Sequence, residues 1–329
     1  MLIRHTPSGL YCEAGDFYVD PNRKVDRAVI THAHSDHARR GSNQYLCAKQ
    51  CESLLRLRLG KKISIQSMLY GASTSINSVK ISFHPAGHIL GSAQIRIEHK
   101  GEVWVVSGDY KTQADPTCTA FEPVRCDTFI SECTFGMPIY HWPDPEHEWN
   151  RLKRWWASNR AAGLTSVVHA YSLGKAQRVL NALKDSDHPI LVHEAILNFL
   201  PVYAAEGVDF PRAEIANQTN IERHRGKALV VTPNSSNMET WLGDPSSWQS
   251  LDVSGWMQIR SPRRKKGQST GFVVSDHADW DGLLQAVQST GAEKIYLTHG
   301  DGFILSNWLT NKGLSAAQLP EASKWSSDS

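Results

Sequence analysis

The chain has 329 residues, 40% hydrophobic and 21% charged, with a formal net charge of only +2. That balance fits a soluble globular protein with room for one large domain or two ordinary ones. It excludes a polycation that binds nucleic acid by charge alone, so any basic surface must be local. No run of about 18 apolar residues is present to span a membrane. The opening stretch MLIRHTPSGLYCEAG lacks the apolar core of a signal peptide, which makes the cytoplasm the expected address. The six cysteines, Cys12, Cys47, Cys51, Cys118, Cys126 and Cys133, include no C-x-x-C pair and read as reduced, buried thiols. Cys47 and Cys51 would share a helix face, but a two-thiol zinc site would lack further partners.

In chain order, residues 16–20 and 26–31 read as short strands. Residues 79–83 and 93–97 alternate in polarity, and residues 102–107 (EVWVVS) form a continuous apolar strand before Gly108-Asp109. Residues 128–131 are another strand, followed by Glu132. The recurring pattern is an apolar strand with a ligand-type residue just past its end, where layered α/β folds commonly build sites.

The pattern changes near residue 138. Asp144-Pro145 fits a helix N-cap followed by Pro at the first helical position, with Trp149, Leu152 and Trp156 on one helix face. Strand and helix then alternate: TSVVHAYS and LGKAQRVLNALK, then PILVHEA and a helix running to about Tyr203. KALVVT and WMQIR are read as further strands, and the whole as a small parallel α/β unit. It closes in a polar run at residues 260–268 that contains Arg263, Arg264, Lys265 and Lys266. Strands ending on ligand-type residues then return, with a strand at residues 271–275, Asp276-His277, a helix from Trp280, and a strand at residues 293–298 ending on His299. The tail EASKWSSDS reads as frayed.

Three histidines and an aspartate, His32, His34, Asp36 and His37, follow the apolar run Ala28-Val29-Ile30 within six positions. By strand periodicity His32 and His34 fall on the same side, and His88 in Pro85-Ala-Gly-His can complete a three-nitrogen metal site. Asp36 and His37 face away from that pair and suit a second ion, and Asp109 can bridge two. Two divalent ions about 3.5–4 Å apart suit phosphodiester hydrolysis, because they activate water near neutral pH and neutralise the attacking and leaving oxygens. By contrast, His5, His99, His141, His147, His188, His193 and His224 read as ordinary structural or surface residues.

THAHSDH resembles the H-x-H-x-D-H signature of the metallo-β-lactamase superfamily. AGHILGS around His88, SGDY around Asp109 and LTHG around His299 resemble its later ligand motifs, in the expected order. ISECTFG around Glu132 and VVSDHADW around His277 resemble the acidic and histidine motifs of the β-CASP nuclease branch. YSLGKAQ resembles a short stretch that opens a helix in that branch's cap. The whole chain is most similar to the bacterial ligase-associated DNA exonuclease family. The resemblance implies an α/β fold, a metallo-β-lactamase αβ/βα sandwich formed by residues 1–137 and 268–329. A β-CASP α/β cap is inserted at residues 138–267.

The same resemblance implies roles. His32, His34 and His88 would hold one metal; Asp36, His37 and His299 the other; Asp109 would bridge them. Asp20 would orient the ligands through hydrogen bonds. His277 would protonate or stabilise the leaving oxygen, with Glu132 accepting from its other ring nitrogen. Zinc is the first choice of metal and manganese the alternative. Gly174, Lys175 and Gln177 at a helix start are candidates for phosphate contact, though no P-loop is present. Arg263 and Arg264 are candidates for tracking a nucleic-acid backbone, with a solvated hinge loop as the competing reading. For the tryptophans at residues 142–156, core packing is favoured over base stacking.

The leading function is a metal-dependent DNA exonuclease that processes DNA ends in repair, with a DNA ligase or helicase as partner by family association and no membrane. RNA processing is the first alternative, because His299 stands where eukaryotic DNA-repair members of the branch usually carry valine. A small-ester or lactone hydrolase is the alternative of another class. A non-catalytic scaffold is disfavoured by the full set of expected ligands.

Overall fold

In the computed structural model, which describes residues 1–234, 236, 239–259 and 271–320, the N-terminal strands assemble in sequence order. β1 (Arg4–Thr6), β2 (Gly9–Cys12), β3 (Phe17–Val19), β4 (Arg27–Ile30) and β5 (Gln44–Ala48) are followed by helix α1 (Glu52–Leu59) and then β6 (Ile65–Met68). These strands make a six-stranded sheet, antiparallel from β1 to β3 and parallel from β3 to β6. Cys47 lies on β5 and Cys51 ends a 3-10 turn, so the two share no helix face. None of the six cysteines forms a disulfide, and all but Cys118 are buried.

β7 (Ser73–Ile76), β8 (Val79–Pro85), β9 (Ala93–His99) and β10 (Glu102–Val106) then form an antiparallel run. β11 (Thr128–Glu132) adds in parallel to β10. Every residue of β11 is buried, as expected for a strand covered on both faces.

The chain divides into two compact units, Met1–Pro138 with His277–Ser329, and Ile139–Asp276. In the second, α2 (Pro145–Ala161) begins at Asp144, whose side chain accepts from the Glu146 N–H, with Pro145 in the first turn. β12 (Thr165–His169), α3 (Lys175–Ala182), β13 (Ile190–Val192), α4 (Glu194–Leu197) and α5 (Leu200–Ala205) follow. Next come β14 (Ala213–Ile215), α6 (Gln218–Arg223), β15 (Leu229–Thr232), α7 (Glu239–Leu242) and β16 (Trp248–Asp252). The sheet is all parallel, in the order β14-β13-β15-β12-β16.

Three expectations change here. The helix foreseen to Tyr203 is two, α4 and α5, because Pro201 cannot continue the first helix's hydrogen bonding. WMQIR is not a strand: Gly255–Gln258 is a 3-10 turn capped by Ser254, and the strand lies before it, at β16. At residues 271–275 only Phe272 pairs with another backbone segment as a bridge, to Val253. Side chains take over nearby backbone groups, since Glu148 accepts from the Val273 N–H at 3.0 Å and Arg178 donates to the Ser275 carbonyl. Arg263, Arg264, Lys265, Lys266, the 267/268 boundary and the tail EASKWSSDS lie outside the described residues.

On return to the first unit, α8 (Trp280–Thr290), β17 (Lys294–Thr298), α9 (Phe303–Asn311) and β18 (Ser315–Gln318) complete a seven-stranded sheet, ordered β18-β17-β11-β10-β9-β8-β7. Leu283, Ala286 and Val287 of α8 and Leu305 and Leu309 of α9 pack on Val105, Phe129, Ile295 and Leu297. This apolar burial holds both helices to the sheet. Register brings the C-terminal ends of β8, β10, β11 and β17 to one edge: Val106 pairs with Ile130 and Ile95, Ile130 with Tyr296, and Pro85 with Ala93. The Ala93 N–H donates to the Thr31 carbonyl at 2.8 Å, tying the start of β9 to the end of β4. No helix among the described residues is long and apolar enough to cross a membrane.

Candidate metal centre

β4 ends at Ile30, so the histidines after it stand on a turn and not on an extended strand. The His37 and Ala38 N–H groups both point to the His34 carbonyl, at 3.3 and 2.9 Å. That turn, rather than strand periodicity, places the imidazoles. His32, His34, His88 and Asp109 offer ligand atoms all within 4.8 Å of one another, and so do Asp36, His37 and His299. The same holds for Asp20, His32 and His37, and for Asp109, Glu132 and His277. Asp109 Oδ2 lies 3.7 Å from His32 Nε2, 3.4 Å from His37 Nε2 and 3.7 Å from His88 Nε2. One carboxylate oxygen therefore faces nitrogens from both expected sets.

Glycine backbone permits this convergence. Gly108, just before Asp109, has φ +56°, and a Cβ there would stand 2.6 Å from Thr31. Gly87, just before His88, has φ +73°, and its Cβ would meet the Lys111 carbonyl at 2.3 Å. Neither position accepts a side chain. His299 and Asp20 adopt positive φ without being glycine, at 54° and 44°. Such strain persists where surrounding contacts over-determine the conformation.

Hydrogen bonds assign the histidine tautomers. Asp20 Oδ2 lies 2.7 Å from His37 Nδ1, which must carry a proton, so Nε2, which faces Asp109, is the nitrogen a metal would take in place of its proton. Asp20 also accepts from the Thr31 N–H at 2.8 Å and from the Thr31 hydroxyl. With its proton so used, Thr31 Oγ1 accepts from His32 Nδ1 at 3.0 Å. The sequence reading missed Thr31, although a hydroxyl residue at a strand end beside a histidine cluster was a usable signal.

Glu132 is held by the Tyr110 N–H at 2.9 Å and the Thr134 hydroxyl at 2.6 Å. Its two oxygens lie 2.8 and 2.9 Å from His277 Nδ1, which fixes the Nδ1–H tautomer of that ring. Thr134, also absent from the sequence reading, places its one hydroxyl proton between Glu132 at 2.6 Å and the His299 carbonyl at 3.0 Å, so it stands where the Glu132 and His299 loops meet.

Burial and charge act together on the cluster. Burial, reinforced by neighbouring His37 and His88, pushes the His32 imidazole well below its ordinary range. For His37 burial works against the charged form, yet Asp109 and Asp20 hold it well above. Burial would raise Asp109, but His37 and His277 keep its carboxyl well below the usual range.

The donor set fits divalent ions. His32 Nε2, His37 Nε2 and Asp109 Oδ1 are buried without a hydrogen-bond partner, an arrangement that costs free energy unless something else is bound there. Imidazole with carboxylate suits zinc and also admits manganese.

The helix-start residues Gly174, Lys175 and Gln177 have partners within the second unit. Lys175 is 5% exposed and pairs with Asp276 at 3.3 Å, over the Tyr171 ring. Arg178 pairs with the same carboxylate at 3.0 Å. Gln177 accepts from the Gly174 N–H at 2.6 Å and donates to the Ser172 carbonyl. The charge and N–H expected to meet phosphate are thus engaged within the unit, because two buried cations need a buried anion. Leu152 and Trp156 are core residues, with Trp149 packed against them.

No family model matches the sequence. A probable DNA ligase of Opitutus terrae is 27% identical over 95% of this chain and 30% of its own length. Endoribonuclease YSH1 of Yarrowia lipolytica is 32% identical over 72% of this chain and 35% of its own. The chain spans about a third of the length of these curated relatives. A solved protein of unknown function from Enterococcus faecalis V583 shares the fold, with a TM-score of 0.60 at 12% identity over 90% of this chain and 79% of that one. With its convergent histidine and aspartate motifs, the chain resembles the β-CASP branch of the metallo-β-lactamase superfamily. Within that branch it is similar to the bacterial ligase-associated group.

Proposed function

We propose that this chain is a metal-dependent phosphodiesterase, a nuclease that trims DNA ends. In this reading the two sheets of the first unit form the αβ/βα sandwich, and Ile139–Asp276 is the β-CASP cap. His32, His34 and His88 would hold one divalent ion, Asp36, His37 and His299 the other, with Asp109 available to both. The carrying observation is the pairing of that cluster with His277, whose Nδ1 is engaged by Glu132.

Bound there, two divalent ions would supply an activated water near neutral pH and neutralise charge on the phosphate. The remaining chemistry belongs to the chain. Asp20 fixes the His37 ring. Glu132 keeps the His277 proton on Nδ1 and stabilises the imidazolium when Nε2 is also protonated. His277 then delivers the Nε2 proton to the leaving oxygen, a step of general acid catalysis. Asp36, mostly exposed, faces the solvent side of the cluster.

DNA is favoured by similarity over 95% of the chain to a protein named as a probable DNA ligase. A ligase partner rests on the same similarity, and a helicase partner on the family resemblance alone. RNA cleavage is the second reading, favoured by the relative named as an endoribonuclease. The test is cleavage of 5′-labelled single-stranded DNA and same-sequence RNA, with zinc or manganese supplied. Labelled mononucleotide from DNA alone supports the DNA-end reading. Cleavage of RNA alone transfers the protein to RNA processing, and cleavage of neither returns it to small-ester hydrolysis.

A further inference from the structure

We infer that Arg58, near the end of α1, is a positioning residue that sets the metal affinity of the His32–His37 turn. The inference rests on the two-ion reading above.

The turn is hooked to α1 at two points. Arg58 donates through Nη1 to the carbonyl of Ala33, a residue fully buried between His32 and His34. In return, Arg40 Nη2 donates to the Arg58 carbonyl at 2.9 Å. The segment between these anchors, residues 34–39, carries His34, Asp36 and His37. Reciprocal bonds of this kind fix both ends of a short loop, so its side chains lose little further freedom when they converge on an ion.

The anchor itself does not move freely. Leu54, Leu55 and Leu59 of α1 are buried. Arg56 pairs with Glu52 at 2.9 Å and donates to the carbonyls of Lys61 and Ile63, which secures the helix end. A buried carbonyl such as that of Ala33 needs a donor, and a guanidinium supplies a charge-assisted one. Without it, the carbonyl would turn in search of another partner and carry His32 and His34 with it. Arg58 offers a metal no lone pair; it acts through the loop, by its bond to the Ala33 carbonyl and its charge near Asp36, which Arg58→Lys keeps.

The test compares wild type, Arg58→Met and Arg58→Lys. Methionine keeps an apolar stem but offers no donor, and lysine restores a single one. Zinc affinity is read by competition with a chromophoric chelator, and the melting temperature is read separately in excess EDTA. The expected result is an affinity loss of about tenfold or more for Arg58→Met, partly recovered in Arg58→Lys. The EDTA melting temperature should change little. Zinc affinity within about twofold of wild type for Arg58→Met overturns the inference, whatever happens to the EDTA melt. If Arg58→Met does not fold, Arg58→Lys decides, and affinity equal to wild type with a lowered EDTA melt assigns Arg58 a packing role only. Wild-type protein that binds no zinc or manganese would instead remove the two-ion reading itself.

Discussion

Glu132 reaches His277 with both carboxylate oxygens, 2.8 and 2.9 Å from Nδ1, although 145 residues separate them. A base so placed fixes the tautomer, and the ring stands 4.8 Å from that of His88. His277→Ala should therefore slow cleavage by about 10²–10⁴-fold while leaving bound metal unchanged. His32→Ala should lose metal as well as activity. Metal content by elemental analysis beside the single-stranded DNA assay separates the two, and normal cleavage by His277→Ala would end its assignment as the acid.

Asp20 serves both Thr31 and His37. Asp20→Ala should weaken metal binding by about 10–100-fold without removing any proposed ligand. Chelator competition measures this, and unchanged affinity would show that the His37 ring is fixed by packing alone.

Gly87 combines φ +73° with a carbonyl 2.3 Å from where a Cβ would sit. Gly87→Ala should cost at least about 1–3 kcal/mol and displace His88. Denaturant unfolding gives the stability loss, and zinc affinity should fall with it.

Asp276 is the shared anion of buried Lys175 and Arg178. Asp276→Asn leaves those two cations under-compensated and should destabilise the protein by about 3–5 kcal/mol. A melting temperature equal to wild type would make Lys175 a candidate for phosphate contact again.

Glu52 is held down to about 2 by the Ser67 hydroxyl first, then by Lys49 and Arg56. The folded-state pKa is depressed, so its stabilising contribution is complete above the ordinary value of 4.5 and is lost as pH falls toward 2. Wild type should melt above Glu52→Gln at pH 7, and the gap should narrow as the pH drops below 4.5. A gap independent of pH would mean that the pairs contribute through packing rather than charge.

The sequence by itself determined β3, β4, β8, β9, β10, β11 and β17 of the first unit, the N-cap at Asp144 and the grouping of His32, His34, Asp36 and His37. These depend on neighbours in the chain: polarity alternation, a capping carboxylate before proline, and spacing. The break at Pro201 is equally local, since a proline inside a helical run interrupts it wherever the run is packed. Tertiary structure decided the rest. Only sheet register brings residues 88, 109, 132 and 299 to one edge, because pairing joins strands far apart in sequence. Only packing shows that Lys175 is spent on Asp276, that Thr31 and Thr134 link the loops, and that a turn rather than a strand gathers the first histidines. Hydrogen bonds and buried charges select partners by distance in space, and a linear pattern does not record that distance.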